Sequence, residues 1–264
     1  MSEARNYPTG IGTSSADQIQ LLGVDLAEDV MGQVGFGELA YWLATKRRPT
    51  PGQLRLFEAV LASLADHGYT PTAIAARMTY YSAPESVQGA IAAGLLGGGS
   101  RFLGVTEDTG KFLAEAVAGL GDTGGWPDSD WDDVARTAIT AARTQGSKVP
   151  GLGHPVHKVA DPRVPVMFRI ARESEVLGPH LALFEAIGRV HPEILQRTLP
   201  LNGAGVAGAA LLDAGLPLSM MRGFALLART AGLIGHLAEE QVSPVAPLIY
   251  REVDRNARYV PPED

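Results

Sequence analysis

The chain has 264 residues, no cysteine, six histidines and a formal net charge of −7, a length that suits one large core or two modest ones. The absence of cysteine excludes disulfides, thiolate chemistry and cysteine-ligated zinc, and an acidic balance with no dense basic tract speaks against a nucleic-acid partner. The N-terminus MSEARNYPTGIGTSS lacks the apolar segment of a secretory signal, and Gly, Arg or His breaks every apolar stretch before the ~20 residues a bilayer span needs; the expectation is a cytoplasmic protein with no membrane partner.

In chain order, QIQLLG (18–23) is the one short strand-like stretch. The segment 52–68 predicts an amphipathic helix, because Leu54, Phe57, Leu61 and Leu64 recur at three- and four-residue steps. Thr50 is its N-cap, Pro51 its first turn and Gly68 its stop. Thr70-Pro71 opens a second helix to about Tyr80. Ser82-Ala83-Pro84-Glu85 reads as a capping box before a helix that ends at Gly97-Gly98-Gly99. The cluster GLGDTGGWPDSD (119–130) predicts a linker or a long surface loop. Ser129 opens a helix to about Arg143, and Asp161-Pro162 one to about Glu175. A further helix covers about 179–197, and two rich in Ala and Gly follow near 205–214 and 219–241. The tail 247–264 reads as irregular. With helical periods throughout, the expected class is all-α.

Four residues stand out for chemistry. His154 lies in PGLGHPVHK (150–158), a loop stiffened by Pro150 and Pro155, in which Gly151 and Gly153 permit close approach of the backbone to a ligand. An imidazole there is either a turn residue capping a helix end or a placed acid/base. His157 follows at a His-x-x-His spacing, but no helical Glu accompanies the pair, so no metal is expected. Arg163, in the first turn of a helix, is either salt-bridged to Asp161 or placed with the helix N-terminus to hold a carboxylate. His67 ends the 52–68 helix, where the helix dipole accounts for it. Arg229 lies in the apolar run FALLARTAGLIG (224–235), where a buried guanidinium needs an anion.

Five motifs in order resemble the citrate synthase superfamily: FGELAYWLATKRRPTPGQ (36–53), the stretch 64–102, PGLGHPVHK with the following DPR, LPLNGAG (199–205) and ARTAGLIGHLAEE (228–240). The closing YVPPE (259–263) is similar too. The likeness runs from about Asp17 to the end and is greatest to the short citryl-CoA lyases and the lyase module of ATP-citrate lyase. It implies an almost all-helical homodimer with a large domain (1–102 and 209–264) and a small one (103–208) that close over substrate. The implied partners are an acyl-CoA and a keto acid or citrate-like carboxylate, with coenzyme A as the carrier. It places His154 on the keto-acid carbonyl or the citryl hydroxyl, His67 on the same acid, and Arg163 and Arg229 on its carboxylates. Pro150, Gly151, Leu152 and Gly153 would lie against coenzyme A, with Lys158 a contact for its phosphate.

The departures from the family pattern are specific. The histidine that stabilises the acetyl-CoA enol in citrate synthases falls at Phe102, in the substrate pocket, and the catalytic aspartate of Asn-x-Asp-Gly falls at Ala204. The arginine before a C-terminal proline falls near Ala246-Pro247. Asn202 is the remaining catalytic candidate, as a donor to the thioester oxygen. Ser100, Glu107 and Asp108 are candidates for supplying a proton, and Asp213 is expected to face solvent. Cleavage of citryl-CoA or a related 3-hydroxy-3-carboxyacyl-CoA is the leading expectation, with His154 removing the hydroxyl proton. A condensing acyltransferase and a non-catalytic acyl-CoA-binding homologue are the alternatives.

Overall fold

The computed structural model describes residues 6–262 and is mostly helical. Three short strands, β1 (Gly12–Ser14), β2 (Ile19–Leu21) and β3 (Val24–Asp25), form an antiparallel meander in that order. One strand was expected here and none beside it; the flanking strands are too short to show an alternating period. A π-turn at Leu26–Val30 leads into α1 (Phe36–Thr45), α2 (Pro51–Ala65), α3 (Pro71–Ser82), α4 (Val87–Leu96), α5 (Val105–Val117) and α6 (Asp128–Thr144). After the histidine loop come α7 (Arg163–Glu173), α8 (Pro179–Leu195), α9 (Gly203–Asp213), a 3₁₀ turn at Leu218–Met220, α10 (Met221–Val242) and α11 (Ala246–Asn256).

Local chemistry accounts for these boundaries. Thr50 and Gln53 form a reciprocal capping box at the start of α2, with Pro51 where its missing N–H costs nothing. Thr70 caps α3 one way, its side chain accepting Ala73 N–H, ahead of Pro71. Ser82 is the last residue of α3, and α4 starts only after Ser86, with no side-chain cap. The expected box at 82–85 is therefore the turn between two helices. Helix α2 ends at Ala65, so His67 lies beyond the helix, in a turn, and Gly68 takes φ +70° there. The expected irregular tail is helical up to Asn256 and without regular structure over 257–262. Glu240 accepts the N–H groups of Val245 and Ala246, each at 2.8 Å, and so caps α11; Pro247 lies in the first turn, where proline is tolerated. The closing Glu263 lies outside the described residues.

The core is built around α9, buried along Gly205–Leu211. It packs on α5, α8, α2 and α7. Gly208 makes the α5 contact possible, since a Cβ there would sit 2.4 Å from the Thr106 carbonyl oxygen. Phe57 of α2 meets Tyr41 and Phe224 edge-on at 5.9 and 5.4 Å. The same apolar cluster continues through Leu181, Phe184 and Ile187 of α8 to Trp131 of α6. The 119–127 segment is a surface loop that packs back onto this cluster, with Trp126 5.1 Å from Trp131, and 128–130 of the expected loop form the first turn of α6. A smaller cluster joins α3, α4 and α10 through Ala73, Ala76, Ala90, Leu233 and Leu237. Among the described residues, no helix is long and apolar enough to cross a membrane.

Candidate active site

Five segments converge: the 66–68 turn, the 148–162 loop, and the starts of α7 and α9 with the middle of α10. The loop is fixed from below. Leu152 bridges Leu201, Gly153 donates to the Pro200 carbonyl at 2.7 Å, and Asn202 N–H donates to the Gly151 carbonyl at 2.9 Å. Gly151 takes φ +84° and is buried; a Cβ would lie 2.6 Å from the Phe184 ring. Its glycine is required by protein packing rather than by ligand approach. Gly153 takes φ +82° with only Leu199 near, at 3.9 Å. Pro150 and Leu152 are half-buried beside them.

This scaffold presents His154. The N–H groups of Val156 and His157 donate to its Nδ1 at 3.1 and 2.9 Å. That nitrogen holds a lone pair, so the proton of the neutral ring is on Nε2. Burial lowers the imidazole to about 4, helped by His157, His67 and Arg163 against the opposing charge of Asp161. His154 is therefore a neutral donor at cell pH. Its ring centroid is 4.4 Å from that of His157 and 5.1 Å from that of His67, and those two are 5.6 Å apart. Lys158 is exposed and donates to the His154 carbonyl at 3.1 Å.

The arginines differ in their partners. Asp161, 1% exposed, accepts Arg163 Nε and Nη2 at 3.0 and 2.7 Å, and the first N–H of α9, from Gly203, at 2.7 Å. Burial would raise this carboxyl; the Arg163 guanidinium and the two backbone donors outweigh it and hold the group at about 2. The third face of Arg163 donates to the Ser63 carbonyl at 3.1 Å. A Cβ on Gly203 would sit 2.2 Å from Arg163 Nε, so that glycine makes room for the guanidinium. Arg229 is 5% exposed and has only neutral partners, the Leu64 carbonyl and Thr70 Oγ1. Among the described residues it makes no ion pair. Burial lowers its affinity for its proton, Asp66 opposes this, and Arg163 adds to it.

The remaining candidates take structural places. Asn202 caps α9 through Oδ1, which accepts Gly205 N–H at 2.8 Å, and its Nδ2 donates to the Gly153 carbonyl at 2.8 Å. It ties the histidine loop to α9, with one amide hydrogen left. Phe102 is half-buried in the tight turn after α4, and Ser100 is exposed there. Glu107 is paired with Lys111 and with Arg222 at 2.6 Å; the Lys111 bond leads in lowering its carboxyl, so it holds no proton to give near neutrality. Asp108 lies in the first turn of α5. Asp213 is not solvent-facing: its buried carboxylate accepts Gly178, His180 and Leu181 N–H and caps α8. Ala204, half-buried at the start of α9, offers no proton.

Ligating atoms of His67, His154 and His157 lie within 4.8 Å of one another. The donor set does not suit a resident divalent ion. Ligation by His154 Nε2 would need an imidazolate, since Nδ1 is committed to two N–H donors. Asp161 is the anchor of Arg163, one of the two readings the sequence leaves open, and it holds the Gly203 N–H as well. The sequence pattern missed Asp66, for which the signal is an acid immediately before His67.

The family model described as citrate synthase, C-terminal domain, matches residues 18–251. A citryl-CoA lyase from Hydrogenobacter thermophilus superposes with a TM-score of 0.83 at 28% identity, covering 98% of this chain and 97% of that one. An ATP citrate lyase of Methanosaeta concilii in complex with (3S)-citryl-CoA shares the fold, with a TM-score of 0.77 at 20% identity over all of this chain and 43% of that one. A probable ATP-citrate synthase of Dictyostelium discoideum is 25% identical over 244 residues, 85% of this chain and 37% of its own length. The chain spans little more than a third of the length of the curated relatives it matches.

Proposed function

This chain belongs to the citrate synthase family, and from that premise we propose that it cleaves citryl-CoA, or a close 3-hydroxy-3-carboxyacyl-CoA, to acetyl-CoA and oxaloacetate or the matching keto acid. The carrying observation is Arg229: a buried guanidinium without a counterion, on neutral carbonyl and hydroxyl partners, is a site for a ligand carboxylate. The likeness to a citryl-CoA lyase along nearly its whole length supports the substrate class.

Arg229 and the outer edge of Arg163 hold the acid ends. His154 Nε2–H donates to the substrate's tertiary hydroxyl oxygen and stabilises the negative charge that develops there. A ring whose Nδ1 is committed is a donor rather than a base, so the hydroxyl proton goes to His67, whose ring has no hydrogen bond among the described residues. The bond between the carbinol carbon and the thioester methylene breaks, and its electron pair forms the acetyl-CoA enolate. With Phe102 and Ala204 offering no proton, the methylene takes one from His67 or water, which closes the balance.

Coenzyme A would run along Pro150, Leu152 and Gly153, with Gly151 shaping the loop beneath, and Lys158 would reach a phosphate. The division into 1–102 with 209–264 and 103–208, and a homodimer, belong to the same proposal; Leu96, Val242, Leu248 and Val253 are exposed apolar residues on α4, α10 and α11 that suit a second copy.

The test supplies citryl-CoA and reads oxaloacetate with malate dehydrogenase and NADH. NADH consumption that depends on both protein and citryl-CoA is expected. Thermal stabilisation by citryl-CoA with no oxaloacetate would replace the proposal with the acyl-CoA-binding reading, which Phe102 and Ala204 favour.

A further inference from the structure

The sequence GHLAEE (235–240), two turns beyond Arg229, is not used by the mechanism, yet it contains two buried polar groups, His236 and Glu240. Both belong to one connected set. Arg77 of α3 is fully buried and donates Nη1 to Glu240 at 2.6 Å, and it also pairs with Glu239. Its Nε donates to His236 Nδ1 at 3.0 Å. That contact commits Nδ1 as an acceptor and places the ring proton on Nε2, which faces Asp66 Oδ1 at 2.9 Å. The second oxygen of Asp66 accepts Gly68 N–H at 2.8 Å. Gly68 takes φ +70° and its carbonyl accepts Thr70 N–H at 2.7 Å. The residue enclosed by this turn is His67.

Helix α10 lies close enough for this because of Gly232. A Cβ there would sit 1.9 Å from the Ala65 carbonyl oxygen, so only glycine lets the helix lie on the end of α2. Positions 229, 232 and 236 share one helix face. That face holds an anion-binding arginine, a point of backbone contact and a histidine that reaches the turn. At the far end, Glu240 also caps α11 through Val245 and Ala246.

We propose that His236 is a positioning residue: its Nε2–H, oriented by Arg77, holds the Asp66 carboxylate, which templates the 66–68 turn and so sets the His67 imidazole against His154. Fixing His67 within a fraction of an ångström matters for proton transfer, where a displacement of about 1 Å costs on the order of 10²-fold in rate. The functional half of this inference rests on His67 acting on substrate as proposed above; the structural half does not.

The test uses full-length protein with ¹⁵N-labelled histidine, the His67 signals being assigned by their loss in His67→Gln. His236→Leu is expected to move the ring signals of His67 and to lower kcat for citryl-CoA on the order of tenfold, with KM little changed. His236→Gln, whose amide can donate to Asp66, is expected to restore most of both. Asp66→Ala leaves the Arg77–His236 contact in place, so it reads the same link if His236→Leu does not fold. Unchanged His67 signals in folded His236→Leu, or in Asp66→Ala, overturn the proposal. The ring signals report whether or not citryl-CoA is the substrate, so failure of the functional assay alone leaves this inference to be decided by them.

Discussion

The guanidinium of Arg229 rests on the carbonyl of Leu64, with both Nε and Nη2 directed to that one oxygen at 3.4 and 3.3 Å. These are long, neutral contacts for a buried cation. Replacing an unpaired buried charge by an apolar side chain of similar length removes the desolvation cost of that charge. Arg229→Met is therefore expected to melt at or above the wild-type temperature while its KM for citryl-CoA rises at least tenfold. A melting temperature several degrees lower would mean that Arg229 supports the fold rather than a ligand.

Asp161 has the opposite standing. It neutralises Arg163 and anchors α9 at Gly203, so Asp161→Asn leaves the guanidinium uncompensated. A cost of about 3–5 kcal/mol is expected. The wild-type carboxyl lies at about 2 against an ordinary 3.8. A depressed carboxylate contributes stability that is complete above the unfolded value and lost as pH falls through the folded one. For Asp161 that amounts to about 2 kcal/mol, lost between pH 4 and 2. Chemical denaturation across that range checks it: the acid decline is expected to be shallower in Asp161→Asn than in the wild type.

How much of this was legible in the sequence depends on how locally each feature is determined. Thr50-Pro51 and Thr70-Pro71 announce α2 and α3 because a cap and its helix are adjacent in the chain. Helix α5 does not announce itself, because it carries Gly110 in its interior; the reason for that glycine is Met221, whose sulfur would lie 2.3 Å from a Cβ there. Helix α11 hides behind Pro244 and Pro247, since its cap comes from Glu240 in the preceding helix. The site shows the same limit. His154, Arg163 and Arg229 stand out by type and setting. That His154 is a donor depends on two N–H groups folded back by the loop. The Asp161 partner of Arg163 lies only two residues away and is one of the readings the sequence leaves open, whereas that Arg229 has no such partner depends on tertiary contacts.

Gly151 and Gly153 share a left-handed backbone but not a setting, which separates two costs of substitution. Gly153→Ala meets open space and is expected to lose only the conformational penalty, about 1–2 kcal/mol. Gly151→Ala adds a methyl 2.6 Å from the Phe184 ring, deep in the core. Overpacking of that kind adds a further ~1–3 kcal/mol. Urea denaturation of both variants is expected to rank Gly151→Ala clearly lower. Equal losses would mean that the Phe184 ring yields freely and that the loop is not pinned from below.

The donor role of His154 makes a prediction about pH as well as about substitution. Its imidazole is lowered to about 4, led by burial. Protonation of the ring would displace the two N–H donors from Nδ1, so the folded state resists it until well below the ordinary 6.5. Between pH 6.5 and about 4 the unfolded chain binds this proton and the folded one does not. The stability tied to the neutral ring is therefore complete above 6.5 and is lost as pH falls toward 4. In the rate, His154 contributes no ionisation between pH 5 and 8, and any limb of kcat in that interval belongs to another group. Removing a donor that meets developing charge costs about 10²–10³-fold in kcat, and His154→Ala is expected to show that loss while keeping the wild-type positions of any limbs between pH 5 and 8. If the substitution abolished a limb near pH 6.5, His154 would be titrating as a base, and the assignment of its proton to Nε2 would fail.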